Sequence, residues 1–542
     1  VGLCISISAK TVTTNASLSD NKIFKINGEE KISYLVGGVE LHEQKIGALK
    51  DCAGNYYYDY DTFYLQTQAN SENVKIVSWS YRNAEKWQMN GVSEIARNFE
   101  EHNPGWIVVG GTNADFFNIN SNGQMLNTAM ENGELINPDP NYSNPWWRGI
   151  LGFTKDNELI TGIPSVTNYY NLHVYTEKTM KNETKTIQVA GVNPGTLSET
   201  GITVITKDSG SFYDLTGYTV CEGVYTICRV SNGKNKTVFV KGKMNISRAG
   251  NAEEKPCMTR EELKEDGTTK TDYVIKATRQ RKELYVATKN QEVVNKLKSG
   301  VKVKCQYDFV GEWADVINTM GYKYDLLLNG KPQHQKSTNA DCYTDHPRTF
   351  IGFKEDGTPV LMVIDGRGSS TNPVKKGNYG VSLFEGAEIM KLAGCVNAYN
   401  LDGGGSSTLI VRNQGGGFDV INRPSDYGYE RSTGNAIFLV MRDPAVETVS
   451  GRSSASTISI KRKTTDYAKS VTDIKVTVNG KTYEMESDEV IATGLLENTV
   501  YDVNVEYKLN GELCKSSYKA STNMYDPGVD INPTSKGFNI GL

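Results

Sequence analysis

The stretch Asn400-Leu401-Asp402-Gly403-Gly404-Gly405-Ser406-Ser407-Thr408 sets one carboxylate at the end of an apolar run and follows it with three glycines and three hydroxyls. A carboxylate fixed at a strand exit can serve as a nucleophile or a general base. Glycines let a ligand approach the main chain closely, and successive N–H groups form an anion-binding concavity. A glycine-rich hairpin turn is the plainer reading, but a hairpin needs only one or two glycines and has no use for the hydroxyl run. A second acid, Asp365, leaves the apolar run Pro359 to Ile364 and is followed by Gly366-Arg367. No Gly-x-Ser-x-Gly elbow of a serine hydrolase surrounds Ser406 or Ser407, and no Gly-Lys-Ser/Thr completes a nucleotide-binding loop.

For the two acids to share a site, two strand exits must meet. Thr349 to Phe353, a Glu355-Asp356-Gly357 turn and Pro359 to Ile364 read as a hairpin that delivers Asp365. Ser382-Leu383-Phe384-Glu385 is a capping box, in which the Ser382 hydroxyl accepts from the Glu385 N–H while the glutamate returns to the cap. Ile389, Leu392 and Ala393 continue one helical face, Gly394 closes the helix, and Val396 to Leu401 runs into Asp402. If the strands before and after this helix lie parallel in one sheet, a right-handed crossover brings both C-terminal ends to one edge, where ligands of such sheets bind. The expected fold class is therefore α+β with a mixed sheet. Upstream, Val92, Ile95, Ala96 and Phe99 fall at helical spacing before Asn103-Pro104-Gly105. Trp106 to Val109 then forms a strand that empties into Gly110-Gly111-Thr112-Asn113-Ala114-Asp115, a third strand delivering polar residues beside glycines.

At 542 residues the chain exceeds one ordinary core. The boundaries read from the chain are a leader or arm over 1–30, a large domain over 31–445, a β-sandwich over 446–523 and a tail over 524–542. In the sandwich, Gly494 to Tyr501 resembles the turn and tyrosine corner of a fibronectin type III module, with Tyr501 at the corner. Charges of 59 basic and 63 acidic residues nearly cancel, which excludes recruitment of nucleic acid or an anionic membrane by charge. No apolar run is long enough to span a bilayer, and Val1 to Ala9 reads equally as a signal-peptide remnant or a first strand. The nine cysteines are odd in number and lack the spacing of a disulfide scaffold, although Cys221 and Cys228 could pair across a hairpin. Trp146-Trp147 reads as core packing before a sugar platform, and the charged run Glu253 to Lys270 as a solvated excursion.

In order and spacing, His346-Pro347-Arg348-Thr349-Phe350-Ile351-Gly352, Asp365-Gly366-Arg367, NLDGGGSST, Val420-Ile421-Asn422-Arg423-Pro424-Ser425-Asp426 and Glu430-Arg431 resemble the phosphodiester glycosidase family, and in particular its uncovering-enzyme-like members. These remove N-acetylglucosamine from N-acetylglucosamine-1-phosphodiesters. Asn113 to Phe117 matches a further block of the family, with Ala114 where glycine is usual, and the likeness covers roughly residues 30 to 445. The resemblance implies a glycosidase for a sugar-1-phosphodiester in a cell-surface glycan or phosphate-containing polymer. A departing phosphate monoester needs little protonation, so catalysis would rest on a carboxylate at the anomeric carbon and on cations holding the phosphate. Asp402 is the first candidate for that carboxylate, Asp365 the second, and His346 a candidate acid. Arg348, Arg367, Arg423 and Arg431 are candidate phosphate forks. Asn113, Asp115, Asn400, Gly403, Gly404, Gly405, Ser406, Ser407 and Asn422 are candidate substrate contacts. No cofactor is required. The metal ligands are unknown, a structural divalent cation such as calcium being the alternative use of acids beside glycines. Expected partners are the carbohydrate substrate and an assembly reached through the C-terminal domain and tail, in an extracellular or virion-associated setting. The alternative is a non-catalytic glycan-binding or attachment protein, such as a phage tail component, on the same fold.

Overall fold

Period-2 alternation dominates this chain, and its consequence is a molecule of antiparallel sheets. The computed structural model describes residues 5–7, 14–15, 23–49, 56–67, 73–81, 88–120, 123–137, 149–164, 166–175, 183–192, 197–206, 212–213, 217–224, 226–232, 235–247, 257–263, 269–275, 283–296, 302–309, 311–333, 342–368, 378–413, 416–449 and 452–524. The Trp146-Trp147 pair, the tail from 525 and the side chains of Cys221 and Cys228 lie outside the described residues. Two compact units emerge. One comprises Val1–Tyr34, Glu40–Asn103 and Val108–Val440; the other comprises Leu35–Val39, Pro104–Ile107 and Met441–Leu542.

The expected α+β class with a mixed sheet is not what forms. The fold is predominantly β, and the eleven-stranded sheet carrying the central hairpin is antiparallel at every pairing. The reason lies in one intervening strand. Arg348–Phe353 pairs with Pro359–Ile364 on one side and with Asn397–Asn400 on the other, antiparallel to both. The 359–364 and 397–400 strands thus run the same way without touching, so the crossover helix joins them and no parallel ladder results. Their C-terminal ends, and the N-terminal end of the strand between them, fall on one edge. Arg348 stands opposite Ile364 and Phe350 opposite Asn400, which sets the exits toward Asp365 and Asp402 beside the entry at Arg348.

The crossover helix spans Leu383–Leu392. Its capping box is formed as the sequence predicts, with the Ser382 hydroxyl accepting from Glu385 N–H and the Glu385 carboxylate accepting from Ser382 N–H at 2.8 Å. Gly394, at φ +90, ends it. Leu383, Ile389 and Met390 are buried against Phe350, Val360 and Met362 of the sheet, each contributing about 2 kcal/mol of transfer free energy. A second sheet orders Phe418–Val420, Leu409–Arg412, Trp106–Asn113, Asn435–Arg442 and Val74–Ser80, and the register Leu409↔Thr112, Ile410↔Gly111 lays the strand after the glycine loop against the strand that delivers Asn113. The charged run read as an excursion contains a hairpin, Cys257–Leu263 paired with Thr269–Ile275.

In the second unit, Val446–Thr448, Thr457–Arg462 and Glu489–Thr493 form a three-stranded sheet. Lys481–Glu484, Val471–Val478, Val500–Leu509 and Glu512–Ser521 form a four-stranded one. Ile458, Ile460, Val476, Val503, Val505 and Tyr507 from both sheets share a buried core. Asn479 and Gly480, at φ 49 and 75, make the two-residue turn that the Asn-Gly pair predicts. The Tyr501 hydroxyl accepts from Leu496 N–H at 2.7 Å.

Candidate active site

Asp402 leaves the sheet immediately after Asn400, and its backbone is gripped on both sides by the segment across from it. Its N–H donates to Ala114 O at 2.9 Å and its carbonyl accepts from Asn113 Nδ2 at 2.6 Å. The Asn113 carboxamide oxygen accepts in addition from Thr349 Oγ1 at 2.9 Å and from Thr408 N at 3.1 Å. Asn113 is fully buried, and this one amide ties together three segments: the arginine-led strand, the acid and the strand after the loop. Burial pushes the Asp402 carboxyl up to about 6, with Ser406, Arg431 and Lys323 pulling the other way.

Asp365 is held by a matching clamp. Asn422 Nδ2 donates to Asp365 Oδ1 and to Ser407 O, both at 3.0 Å, while its oxygen accepts from Leu409 N at 2.8 Å. Arg423 N–H donates to Asp365 Oδ2 at 3.0 Å. The carboxyl is 2% exposed, and burial raises it to about 7 despite those donors. Asp115 is the third buried acid. Asn127 Nδ2 meets one oxygen at 2.8 Å, Gly321 N–H meets the other at 3.0 Å, and Asn435 Oδ1 accepts from the Asp115 N–H. Burial, assisted by the charge of Asp402, raises Asp115 to about 7.

The glycine loop differs from the expected amide cradle. Gly404 N–H donates to Pro347 O at 2.8 Å, and the amides of Ser406 and Ser407 turn back to Gly403 O and Gly404 O in a short 3-10 turn, Gly404–Ser406. What the glycines admit is arginine. A Cβ at Gly404, which sits at φ +65, would lie 2.9 Å from Arg367 Nη2, and one at Gly405 would lie 2.1 Å from Arg431 Nη2. Arg431 is held there by Asp426 in a two-point pair, at 2.7 and 3.1 Å. The hydroxyls of Ser407 and Thr408 and the Asn400 carboxamide oxygen are buried without a hydrogen-bond partner among the described residues.

The four arginines separate into two kinds. Arg348, 7% exposed, donates to Val381 O at 3.0 Å and to Thr344 O at 2.8 Å, bracing the loops around the strand entry. Arg431 is committed to Asp426. Arg367 and Arg423 are exposed at the rim, Arg367 with φ +56. His346 exchanges backbone bonds with Val381, and its side chain is half-buried. Asp426, Lys323, Asn127 and Asn435 escaped the sequence reading. Asp426 stood in a quoted motif; Asn127 and Asn435 reach Asp115 only through tertiary packing and carry no local signal. Among the described residues no group of three or more His, Cys, Asp or Glu side chains is placed to hold a metal ion. Nor is any helix of the described residues long and apolar enough to cross a membrane.

Parts of this chain are similar to known proteins. An uncharacterized protein derived from the SPbeta prophage of Bacillus subtilis (strain 168) is 32% identical over 127 residues, 23% of this chain and 18% of its own. The N-acetylglucosamine-1-phosphodiester alpha-N-acetylglucosaminidase of Bos taurus is 29% identical over 115 residues, 19% of each chain. The match thus spans about a fifth of the length of either curated relative. A hypothetical protein from Synechocystis has a crystal structure that superposes with a TM-score of 0.48 at 17% identity, covering 75% of this chain and 62% of that one. The phosphodiester glycosidase family matches residues 238–440, a span that contains Asp365, the Asp402 loop and the Asp426–Arg431 pair, so this part of the chain is a phosphodiester glycosidase family domain.

Proposed function

We propose that the site hydrolyses a sugar-1-phosphodiester of the N-acetylglucosamine-1-phosphodiester kind, with Asp402 acting at the anomeric carbon. One observation carries the choice. Asp365 and Asp115 each have both carboxyl oxygens engaged by side-chain and backbone donors, whereas Asp402 is immobilised through its backbone, and its carboxyl, beside the Gly403 N–H and the Ser406 hydroxyl, lies in the field of two cations, Arg431 and Lys323. Burial raises all three carboxyls, Asp402 to about 6 and Asp365 and Asp115 to about 7. Asp402 is therefore the available anion, serving as nucleophile or as base for water, and the other two are positioning acids.

In this reading the bond between C1 and its oxygen breaks. Water supplies the new hydroxyl of the sugar, and the phosphate monoester departs with the bridging oxygen and the electron pair. Arg367 and Arg423 at the rim carry the charge that matches it. No cofactor enters the scheme. Reaction in heavy-oxygen water places the label on the released sugar; label in the phosphate would overturn both the role of Asp402 and the glycosidase reading.

The seven-stranded arrangement of the C-terminal unit and its Tyr501 hydroxyl bond support a fibronectin type III-like module over about 446–523, used for attachment and not for chemistry. The prophage-derived relative supports an extracellular or virion-associated setting.

A further inference from the structure

Large side chains seldom occupy the left-handed backbone region, and where they do the strain marks a functional site. Ten non-glycine residues among those described have positive φ. Eight are Asn, Asp or Ala; the other two are Arg367 at 56° and Tyr427 at 59°. Both belong to segments that pack on neighbouring glycines of one loop. Arg367 lies against Gly404, and Tyr427 directly follows Asp426, whose carboxylate holds Arg431 against Gly405. A tight turn made by Pro424 to Tyr429 would be better served by glycine at 427, yet an aromatic stands there.

The same rim gathers exposed aromatic surface. The four exposed tyrosines of the described residues are Tyr343, Tyr379, Tyr427 and Tyr429, at 58, 55, 75 and 77% exposure. Tyr379 O accepts from Arg367 N–H, Tyr343 adjoins Thr344 whose carbonyl braces Arg348, and Tyr427 and Tyr429 flank Gly428 beside the Asp426–Arg431 pair. A tyrosine offers an apolar face to a sugar ring and a hydroxyl to its polar edge, at little entropic cost. With the exposed residues Arg367 and Arg423 in the same segments, such faces fit a ligand that alternates sugar rings with negative charge.

We infer that this rim is an extended binding track for a phosphate-bridged saccharide chain, with Tyr427 and Tyr429 stacking on sugars beyond the one that is cleaved. The inference rests on the glycosidase reading and deepens it, from a single sugar-1-phosphodiester to a polymer of them.

The test is direct binding in the full-length Asp402→Asn protein, which separates attachment from turnover. The probes are a synthetic oligomer of N-acetylglucosamine joined through 1-phosphodiesters, a neutral chitooligosaccharide and inorganic polyphosphate. The oligomer binds more tightly than either of the others, Tyr427→Gly and Tyr429→Ala each weaken it about fivefold, and Tyr427→Phe restores it. Oligomer binding unaffected by both tyrosine substitutions would overturn the proposal, as would its absence or equal retention of polyphosphate. Tyr429→Ala keeps the test decisive if Tyr427→Gly misfolds. Should the parent protein release no sugar from any phosphodiester while tyrosine-dependent oligomer binding persists, the glycosidase reading falls and the binding track stands.

Discussion

A carboxyl raised by burial links activity and stability with opposite signs at Asp402. Its folded value of about 6 lies above the ordinary carboxylate value, so the folded protein holds the proton more tightly than the unfolded chain. The resulting stability is complete below the ordinary value and is lost as pH rises through 6. Asp402→Asn removes that pH-dependent penalty. Its melting temperature should match the parent near about pH 4 and exceed it at about pH 8, by the equivalent of about 2 kcal/mol. Over the same substitution kcat/KM for a small sugar-1-phosphodiester should fall by about a thousandfold or more. In the parent, kcat/KM should rise with pH to a plateau along a limb centred near 6. Calorimetry across pH beside the rate profile checks the pair; a variant that is both active and no more stable at alkaline pH would remove Asp402 from the chemistry.

Among the elements, the glycine loop and the two asparagine clamps decide where that carboxyl sits. Gly405→Ala would drive a Cβ to 2.1 Å from Arg431 Nη2 and 2.4 Å from Asp426 Oδ1, so the ion pair must move although the backbone can stay. Activity should drop about tenfold or more while stability falls by no more than about 1 kcal/mol, the contribution expected of a half-exposed pair. Asn113→Ala should do the reverse of a surface change, costing about 3 kcal/mol by stripping bonds from Asp402, Thr349 and Thr408 at once; chemical denaturation with an unchanged m-value checks it. The sequence made the capping box, the Asp365 hairpin and the common edge for Asp365 and Asp402 legible, because those follow from local turn chemistry and strand order. It did not show that the Arg348–Phe353 strand inserts between the two delivering strands, since hairpin signals fix a strand's partner on one side only. Nor did it show that the loop amides close on Pro347, Gly403 and Gly404, because a glycine run reads alike whether it admits a ligand or, as here, two guanidiniums.

Across the whole molecule, pH and the division into two units should be separable in one experiment. In the first unit His42 lies between Glu30, at 2.7 Å from Nδ1, and Glu40, at 3.1 Å from Nε2. Burial opposes the imidazolium, but the two carboxylates outweigh it and hold the ring above its ordinary value, while both glutamates are held below theirs. The histidine contribution is present below its ordinary value and lost as pH rises through the folded one, the same sign as for Asp115, Asp365 and Asp402. The glutamate contributions are lost as pH falls. The first unit should therefore be most stable in mildly acidic solution, near about pH 5, and His42→Gln should flatten the alkaline side of its curve. The second unit contains none of these groups; its ion pairs, such as Lys475–Glu484 and Arg452–Glu489, are largely exposed. Its stability should vary little over the same range, because solvent screens exposed pairs. Scanning calorimetry of the full chain should thus resolve two transitions, of which only the first unit's moves between mildly acidic and alkaline buffer. A chain ending at Ala445 should keep the moving transition and its activity on a small soluble substrate, and lose the stationary one. A single transition that shifts as a whole with pH would show that the two units unfold as one.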